Sequence, residues 1–420
     1  MKRPSFPLFG TLAASAALLL SLNSCSRKAS GPAALRVWHV GSEEEAQIIS
    51  RLAAERFTPE SKIAVECESL AWSEAHSKYL TAMAGDVTPD VGTMGLTWGT
   101  EFGAKGQMAD LRKDFPADLE DIKKNVFPSI WEATEYHNAV YAVPFDMTLQ
   151  VMYYRSDVIA HPPKTWTELT QVLEKLNKDG KNMIIDWGSL DWIGFSPFLW
   201  ESGGSYYNAD RTKSALDGPE AVRALTFFAD LYNKYQVPKS GVSIAQGFRS
   251  GQSPLGISGH WLINSLPADA PELNGKWSIA LLPAGPTGKH TAFIGGRSIG
   301  IFSGSKMRKE AWAFIQFLSR EDVQSAIYEE VAKSHNIYMP PNVKAWNRLS
   351  ISPEFKSVLL AQARDAKAPP PVLGWNDSTR FVVESIQKVI LEGDDPARAL
   401  ARAAAAMNER IEKVPEANGK

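Results

Sequence analysis

Pro144 interrupts the run Tyr141–Asp157, YAVPFDMTLQVMYYRSD, and that interruption constrains this chain more than any other feature. Proline has no N–H to give to a central ladder. The run starts strand-like, meets Pro144, passes a short polar interval and turns strand-like again at Val151–Tyr154. The chain is expected to change sheets here. Asp146 then lies where two structural units meet, with a ligand cleft beside it.

The stretch before this crossing alternates strand and helix patterns. Leu35–Val40 reads as a buried first strand. Ser42 and Glu45 form a capping box ahead of Ile48, Ile49, Leu52 and Phe57 at helical spacing. Lys62–Leu70 is a second strand, Ser73–Ala84 a helix and Asp90–Thr93 a third strand. Such a β-α-β-α-β order predicts a parallel sheet with helices on its faces. Ligands bind outside the carboxyl ends of such strands, where His39, Trp72 and the Met94–Trp98 loop stand.

Residues 105–135 read as polar and helical, and Glu135–Val143 as a hairpin turning at His137-Asn138. Beyond the crossing, Thr165 and Glu168 suggest a second capping box, for a helix through Leu176. Asn182–Asp186, Pro254–Ile257, Lys276–Leu282 and Ile299–Phe302 read as strands. Asp217–Tyr235 is a strong amphipathic helix pattern with Asp217 as its expected N-cap. Helices are also expected at Lys309–Leu318, Glu321–Val331, Ser352–Lys367, Ser378–Gly393 and Pro396–Val414. Pro283–Lys289 (PAGPTGK) is linker-like, so Pro283 is a second sheet-exit position. The 420 residues suffice for two or three domains.

The N-terminus has a short basic region, Lys2 and Arg3, then the apolar Thr11–Leu22. That stretch suits a signal peptide and is too short to span a bilayer. Leu22-Asn23-Ser24-Cys25 resembles a bacterial lipobox, which implies cleavage after residue 24 and lipidation of Cys25. Residues 25–33 would be a tether. The alternative is an ordinary cleaved signal with an incidental Cys25. Cys67 is then the one cysteine left, so no internal disulfide forms. It alternates with Ile63 and Val65 on one strand face and reads as a buried, inert thiol.

Several stretches together resemble the extracellular solute-binding proteins of ABC importers, in the branch with maltose-binding and other sugar-binding lipoproteins. They are His76–Leu111, Tyr141–Asp157, PKTWTEL at Pro163–Leu169, FLWESGG at Phe198–Gly204, FRSGQSPLGISGHW at Phe248–Trp261, and Gly295–Leu318. The resemblance implies an α/β, two-lobed periplasmic-binding-protein-like fold (type II) with hinge-linked lobes and a ligand cleft. Lobe 1 would hold residues 34–143 and 283–340, and lobe 2 residues 144–282 and 341–420. It further implies a monomeric receptor without cofactor, lipid-anchored in the cell envelope, that passes a mono- or oligosaccharide to membrane permease subunits.

Sugars offer hydroxyls in many directions and weakly apolar ring faces. A site for them needs flat aromatic platforms with polar groups around the edges. The chain has 13 tryptophans. Of these, Trp98, Trp192, Trp200, Trp261 and Trp375 fall outside clear core patterns, with Trp375 in a Pro/Gly-rich loop. Position by position, the resemblance makes Trp261 a sugar-stacking residue and puts Thr97 and Trp98 among polar cleft positions. It makes Asp146 and Thr148 hydroxyl-binding candidates; Asp146 capping the turn after Pro144 is the alternative. Gly203 and Gly296 would let backbone approach the ligand. Arg297, His39 and His260 complete the candidates.

The composition excludes other classes. The net charge of −2 does not suit nucleic-acid binding. The seven histidines show no zinc-site spacing, and there is no P-loop or nucleophile-elbow motif. Asp146, Asp191 and Glu201 leave a glycosidase pair as the enzymatic alternative. A glycerophosphoryl ligand is the alternative within the binding class, and a cleft rich in Arg or Lys would favour it.

Overall fold

The computed structural model describes residues 34–334 and 338–413. The expected signal peptide, Cys25, the tether and His335 lie outside the described residues. Twelve strands are present among those described: β1 Leu35–Val40, β2 Val65–Leu70, β3 Val91–Gly95, β4 Glu135–Tyr136, β5 Ala139–Val140 and β6 Val143–Pro144. After these come β7 Thr148–Arg155, β8 Met183–Ile185, β9 Leu255–Gly259, β10 Trp277–Ala280, β11 Ile294–Gly295 and β12 Arg297–Ile301. β4 and β5 form the small hairpin predicted around His137-Asn138.

The first sheet has the order β2-β1-β3-β12-β6. β1 is parallel to β2 and β3, as the alternating pattern predicts. β12 and β6 add antiparallel strands. The second sheet has the order β10-β7-β9-β8, and β11 pairs with the start of β7.

Pro144 pairs with Ser298 on β6, an edge strand, which is where a sheet tolerates proline. β7 opens at Thr148 in the second sheet. The chain thus crosses between sheets over Phe145–Met147, as expected from Pro144. The return crossing differs from expectation. Pro283 lies in the loop beyond β10, but β11 still pairs with β7, and the backbone joins the first sheet only past Gly296. A proline marks where one ladder stops, not where the next begins.

Local chemistry explains most helix starts. Ser42 Oγ accepts from the Glu45 N–H at 3.1 Å, and Glu45 Oε2 accepts from the Ser42 N–H at 2.9 Å, so the first capping box is complete. The second is displaced by one residue. Thr165 Oγ1 accepts from the Glu168 N–H at 3.1 Å, but the Glu168 carboxylate takes the Lys164 N–H at 2.7 Å. Gly218, not Asp217, caps the helix Pro219–Asn233.

The helix Trp192–Glu201 has no counterpart in the sequence reading. It is apolar all round and contains Pro197, so no helical period shows. Asp191 caps it, accepting from the Ile193 N–H at 3.0 Å. Trp375 is likewise not in a loop. It opens the helix Trp375–Glu392 behind Gly374, whose φ is 78°. Cys67 is partly buried, and desolvation pushes its thiol up to about 12, as an inert thiol requires.

Candidate functional site

A cavity of about 530 Å³ opens beside the two crossings, within the usual size range of small-molecule sites. Its lining combines the end of the β1 segment (Gly41, Ser42, Glu45), the end of the β3 segment (Leu96, Thr97, Trp98) and Trp72. The crossings contribute Asp146, Thr148, Phe293, Gly295, Gly296 and Arg297. Trp187, Trp192, Ile193, Trp261, Pro369, Trp375 and Asn376 complete it.

Aromatic rings form two walls. On the first-sheet side Trp72 meets Trp98 edge-to-face, with ring centroids 5.8 Å apart. On the other side Trp187 meets Trp261 at 4.9 Å, and Trp192 meets Trp375 at 5.2 Å, both edge-to-face. Phe293 joins the two pairs, 5.4 Å from both Trp187 and Trp192. Such T-shaped contacts are favoured by the ring quadrupoles and fix the orientation of each ring. Glycine makes room for them. A Cβ on Gly259 would sit 1.8 Å from the Trp261 ring.

The floor is a buried ionic cluster centred on Arg297, which is 3% exposed. Its Nε donates to Asp146 Oδ2 at 2.7 Å, and its backbone N–H donates to Asp146 Oδ1 at 2.6 Å. Nη2 donates to Glu45 Oε1 at 2.9 Å and also to Asp146 Oδ2. Nη1 donates to the Val40 carbonyl at 2.7 Å and faces Glu45 Oε2 at 3.2 Å and His39 Nε2 at 3.1 Å. The guanidinium fork is fully occupied by protein acceptors.

Burial shapes the charges in this cluster. Burial opposes the charge on Glu45, but Arg297 beside it, through its charge and its hydrogen bonds, holds the Glu45 carboxyl well below the usual range. Burial pushes Asp146 upward and Arg297 only partly offsets it. Burial lowers His39 to about 4, helped by the adjacent Arg297, so the ring is neutral at pH 7. With Nε2 accepting from Arg297, the His39 proton belongs on Nδ1, which faces Thr93 Oγ1 at 3.2 Å.

The sequence candidates divide accordingly. The cavity brings together Thr97, Trp98, Asp146, Thr148, Trp192, Trp261, Gly296, Arg297 and Trp375. Four others lie elsewhere. His39 is wholly buried behind Arg297. His260 is 1% exposed and accepts the Leu149 N–H at 3.2 Å, tying β9 to β7. Trp200 sits one layer back, stacked parallel to Phe293 at 6.4 Å. Gly203 lies near Glu220 and Thr287 and is not part of the lining. Sequence order places these four after a strand or inside a suggestive motif, but does not say which way a side chain points.

Asp146 does more than cap a turn. Both its oxygens face Arg297, so it lines the cavity as half of an ion pair. Glu45 was visible only as a helix cap, although its carboxylate reaches a residue 252 positions away. Trp72 follows the second strand, and Trp187 comes directly after the expected strand Asn182–Asp186. Nothing in the local sequence marks Phe293 or Asn376.

Of the acids suggested as a glycosidase pair, Asp146 alone lines the cavity. Glu201 is buried and accepts from Trp166 Nε1 at 2.7 Å, and burial pushes its carboxyl upward. Asp191 is a helix cap. Neither lines the cavity. Among the described residues no group of three His, Cys, Asp or Glu is placed to hold a metal, and no helix is long and apolar enough to cross a membrane.

Residues 41–325 match the profile of a family described as bacterial extracellular solute-binding proteins. A maltotriose-binding protein of Pyrococcus abyssi is 24% identical over 292 residues, covering 67% of this chain and 62% of its own. A Deinococcus radiodurans protein described as an ABC transporter-binding protein is 27% identical over 365 residues, 80% of this chain and 83% of its own. The solved structure of the sugar-binding protein MalE from Xanthomonas citri superposes with a TM-score of 0.81 at 24% identity. That match covers 91% of this chain and 98% of MalE, so the two share a fold.

Proposed function

This chain belongs to the bacterial extracellular solute-binding proteins, and we propose that it binds an uncharged mono- or oligosaccharide in the tryptophan-walled cavity and delivers it to an ABC permease. One observation carries the ligand class. Six tryptophans, Trp72, Trp98, Trp187, Trp192, Trp261 and Trp375, line a cavity whose only cationic side chain is already saturated by Asp146 and Glu45. Flat apolar walls suit pyranose faces, and Ser42, Thr97, Thr148 and Asn376 offer neutral hydrogen-bonding groups for hydroxyls. A phosphorylated solute such as a glycerophosphoryl compound would need a cation that this lining does not spare. The maltotriose-binding relative is in keeping with a carbohydrate.

The lobe division goes with this reading: residues 34–143 with 283–340, and 144–282 with 341–420. The crossings at Phe145–Met147 and Gly296 are the hinge strands about which the lobes bend. Closure is driven by the better contacts that a ligand makes in the closed state. The chain acts as a monomer, without turnover or cofactor, tethered through a lipid on Cys25. The pairing of Asp146 with Arg297 and the burial of Glu201 leave no free pair of acids in the cavity for glycoside hydrolysis.

A thermal-shift panel tests the ligand class. Neutral sugars from glucose to maltotetraose are compared with glycerol 3-phosphate, a uronic acid and a dipeptide. A sugar at 100-fold its Kd should stabilise the protein by about 2.7 kcal/mol. A shift confined to the phosphorylated or peptidic compounds would overturn the carbohydrate reading.

A further inference from the structure

A second polar cluster lies beside the cavity and links the two aromatic walls. Glu101, on the helix Trp98–Ala104, accepts at Oε2 from Asn376 Nδ2 at 3.0 Å. The same oxygen meets His76 Nε2 at 3.1 Å, and Oε1 accepts from Lys105 Nζ at 2.8 Å. Burial opposes the charge on Glu101, but its bonds to His76 and Lys105 hold it down at about 2, so the carboxylate is an ion at any ordinary pH.

The partners of Glu101 touch the walls. The His76 ring packs edge-on to Trp98 at 4.8 Å. Asn376 follows Trp375 on the helix Trp375–Glu392. A continuous chain of contacts therefore runs from Trp98 through His76, Glu101 and Asn376 to Trp375. The helix Trp98–Ala104 packs on β3 and β12 of the first sheet, whereas the helix Trp375–Glu392 packs on helices of the second-sheet side. Glu101 is absent from the cavity lining, so it cannot act by touching the ligand. A second contact between the two sides, Tyr328 OH to Asn264 Oδ1 at 3.3 Å, is longer and uncharged.

We propose that Glu101 is a positioning residue: its charge-assisted bond to Asn376 clasps the Trp98 wall to the Trp375 wall and sets how long the ligand stays bound. The ligand part of this claim rests on the carbohydrate reading; the clasp does not.

Two measurements separate them. Small-angle X-ray scattering on the ligand-free chain compares the wild type with Glu101→Ala and Glu101→Gln. A larger radius of gyration is expected for Glu101→Ala. Glu101→Gln should keep the wild-type value, because its amide oxygen still accepts from Asn376. An unchanged radius in Glu101→Ala overturns the clasp, whichever solute binds. Stopped-flow dissociation of maltotriose should then be about tenfold faster in Glu101→Ala, with Tm of the ligand-free protein unchanged. Faster dissociation with an equal loss in Tm would make Glu101 merely structural and overturn its positioning role. A wild type that binds no sugar overturns the carbohydrate reading and leaves the scattering result to decide the clasp.

Discussion

Arg297 holds Asp146 three times, through its backbone N–H at 2.6 Å, through Nε at 2.7 Å and through Nη2. Asp146 sits in the crossing between β6 and β7, and Arg297 is the first residue past the return crossing at Gly296. The two places where the chain passes between sheets are thus pinned to each other. Glu45 adds the start of the first helix to the same point.

Replacing Arg297 should therefore cost far more stability than a surface arginine. Arg297→Met keeps the stem but strands two buried carboxylates. A loss of about 3–5 kcal/mol is expected, measured by urea unfolding. A loss under about 1 kcal/mol would show that the acids find other relief.

Gly296 has φ 136°, a conformation that side chains avoid, and a Cβ there would lie 2.3 Å from the Asp146 carbonyl oxygen. Gly296→Ala should cost about 1–3 kcal/mol from backbone strain alone, before any displacement of Asp146. Equal urea midpoints for Gly296→Ala and the wild type would refute the close approach.

Acid should weaken the fold through two buried histidines. Burial, with Arg297 nearby, lowers His39 to about 4, and burial alone lowers His260 to about 3, from an ordinary 6.5. Below pH 6.5 the unfolded chain takes up protons that the folded chain refuses. Stability present at neutral pH is therefore lost as pH falls through 4 to 3, by several kcal/mol in total. Asp146 and Glu201, both pushed upward by burial, act in the opposite sense. His260→Asn, whose Oδ1 can still accept the Leu149 N–H, should flatten the slope in urea midpoints taken from pH 7 to 4.

Trp261 and Trp200 should part company under mutation. Trp261→Ala should weaken sugar binding roughly threefold to tenfold, the worth of one stacking contact, with little change in Tm. Trp200→Ala opens the core behind Phe293 and should lose about 3–5 kcal/mol of stability. Calorimetric titration beside thermal melts reads both. Unchanged affinity in Trp261→Ala would remove it from the site.

If Cys25 carries the lipid, Cys25→Ser should move the protein from the membrane fraction to the soluble fraction of cells. One acyl chain binds only marginally, so a stable anchor needs two or more. Retention of Cys25→Ser in the membrane fraction would sink the lipoprotein reading.

The sequence by itself determined the alternating first sheet, the crossing at Pro144, and the helix cap at Ser42 and Glu45. Each of these rests on local rules: a missing N–H, a side-chain period, or a cap spanning three residues. Only the tertiary structure decided which candidates share a cavity. It turned His39, His260 and Trp200 into supports and brought in Glu45, Trp187, Phe293 and Asn376. It also moved the return crossing from Pro283 to Gly296 and made Arg297 a saturated ion-pair centre. The reason is physical: a side chain's partners across 252 residues depend on how two sheets meet, and no local preference of the chain encodes that meeting.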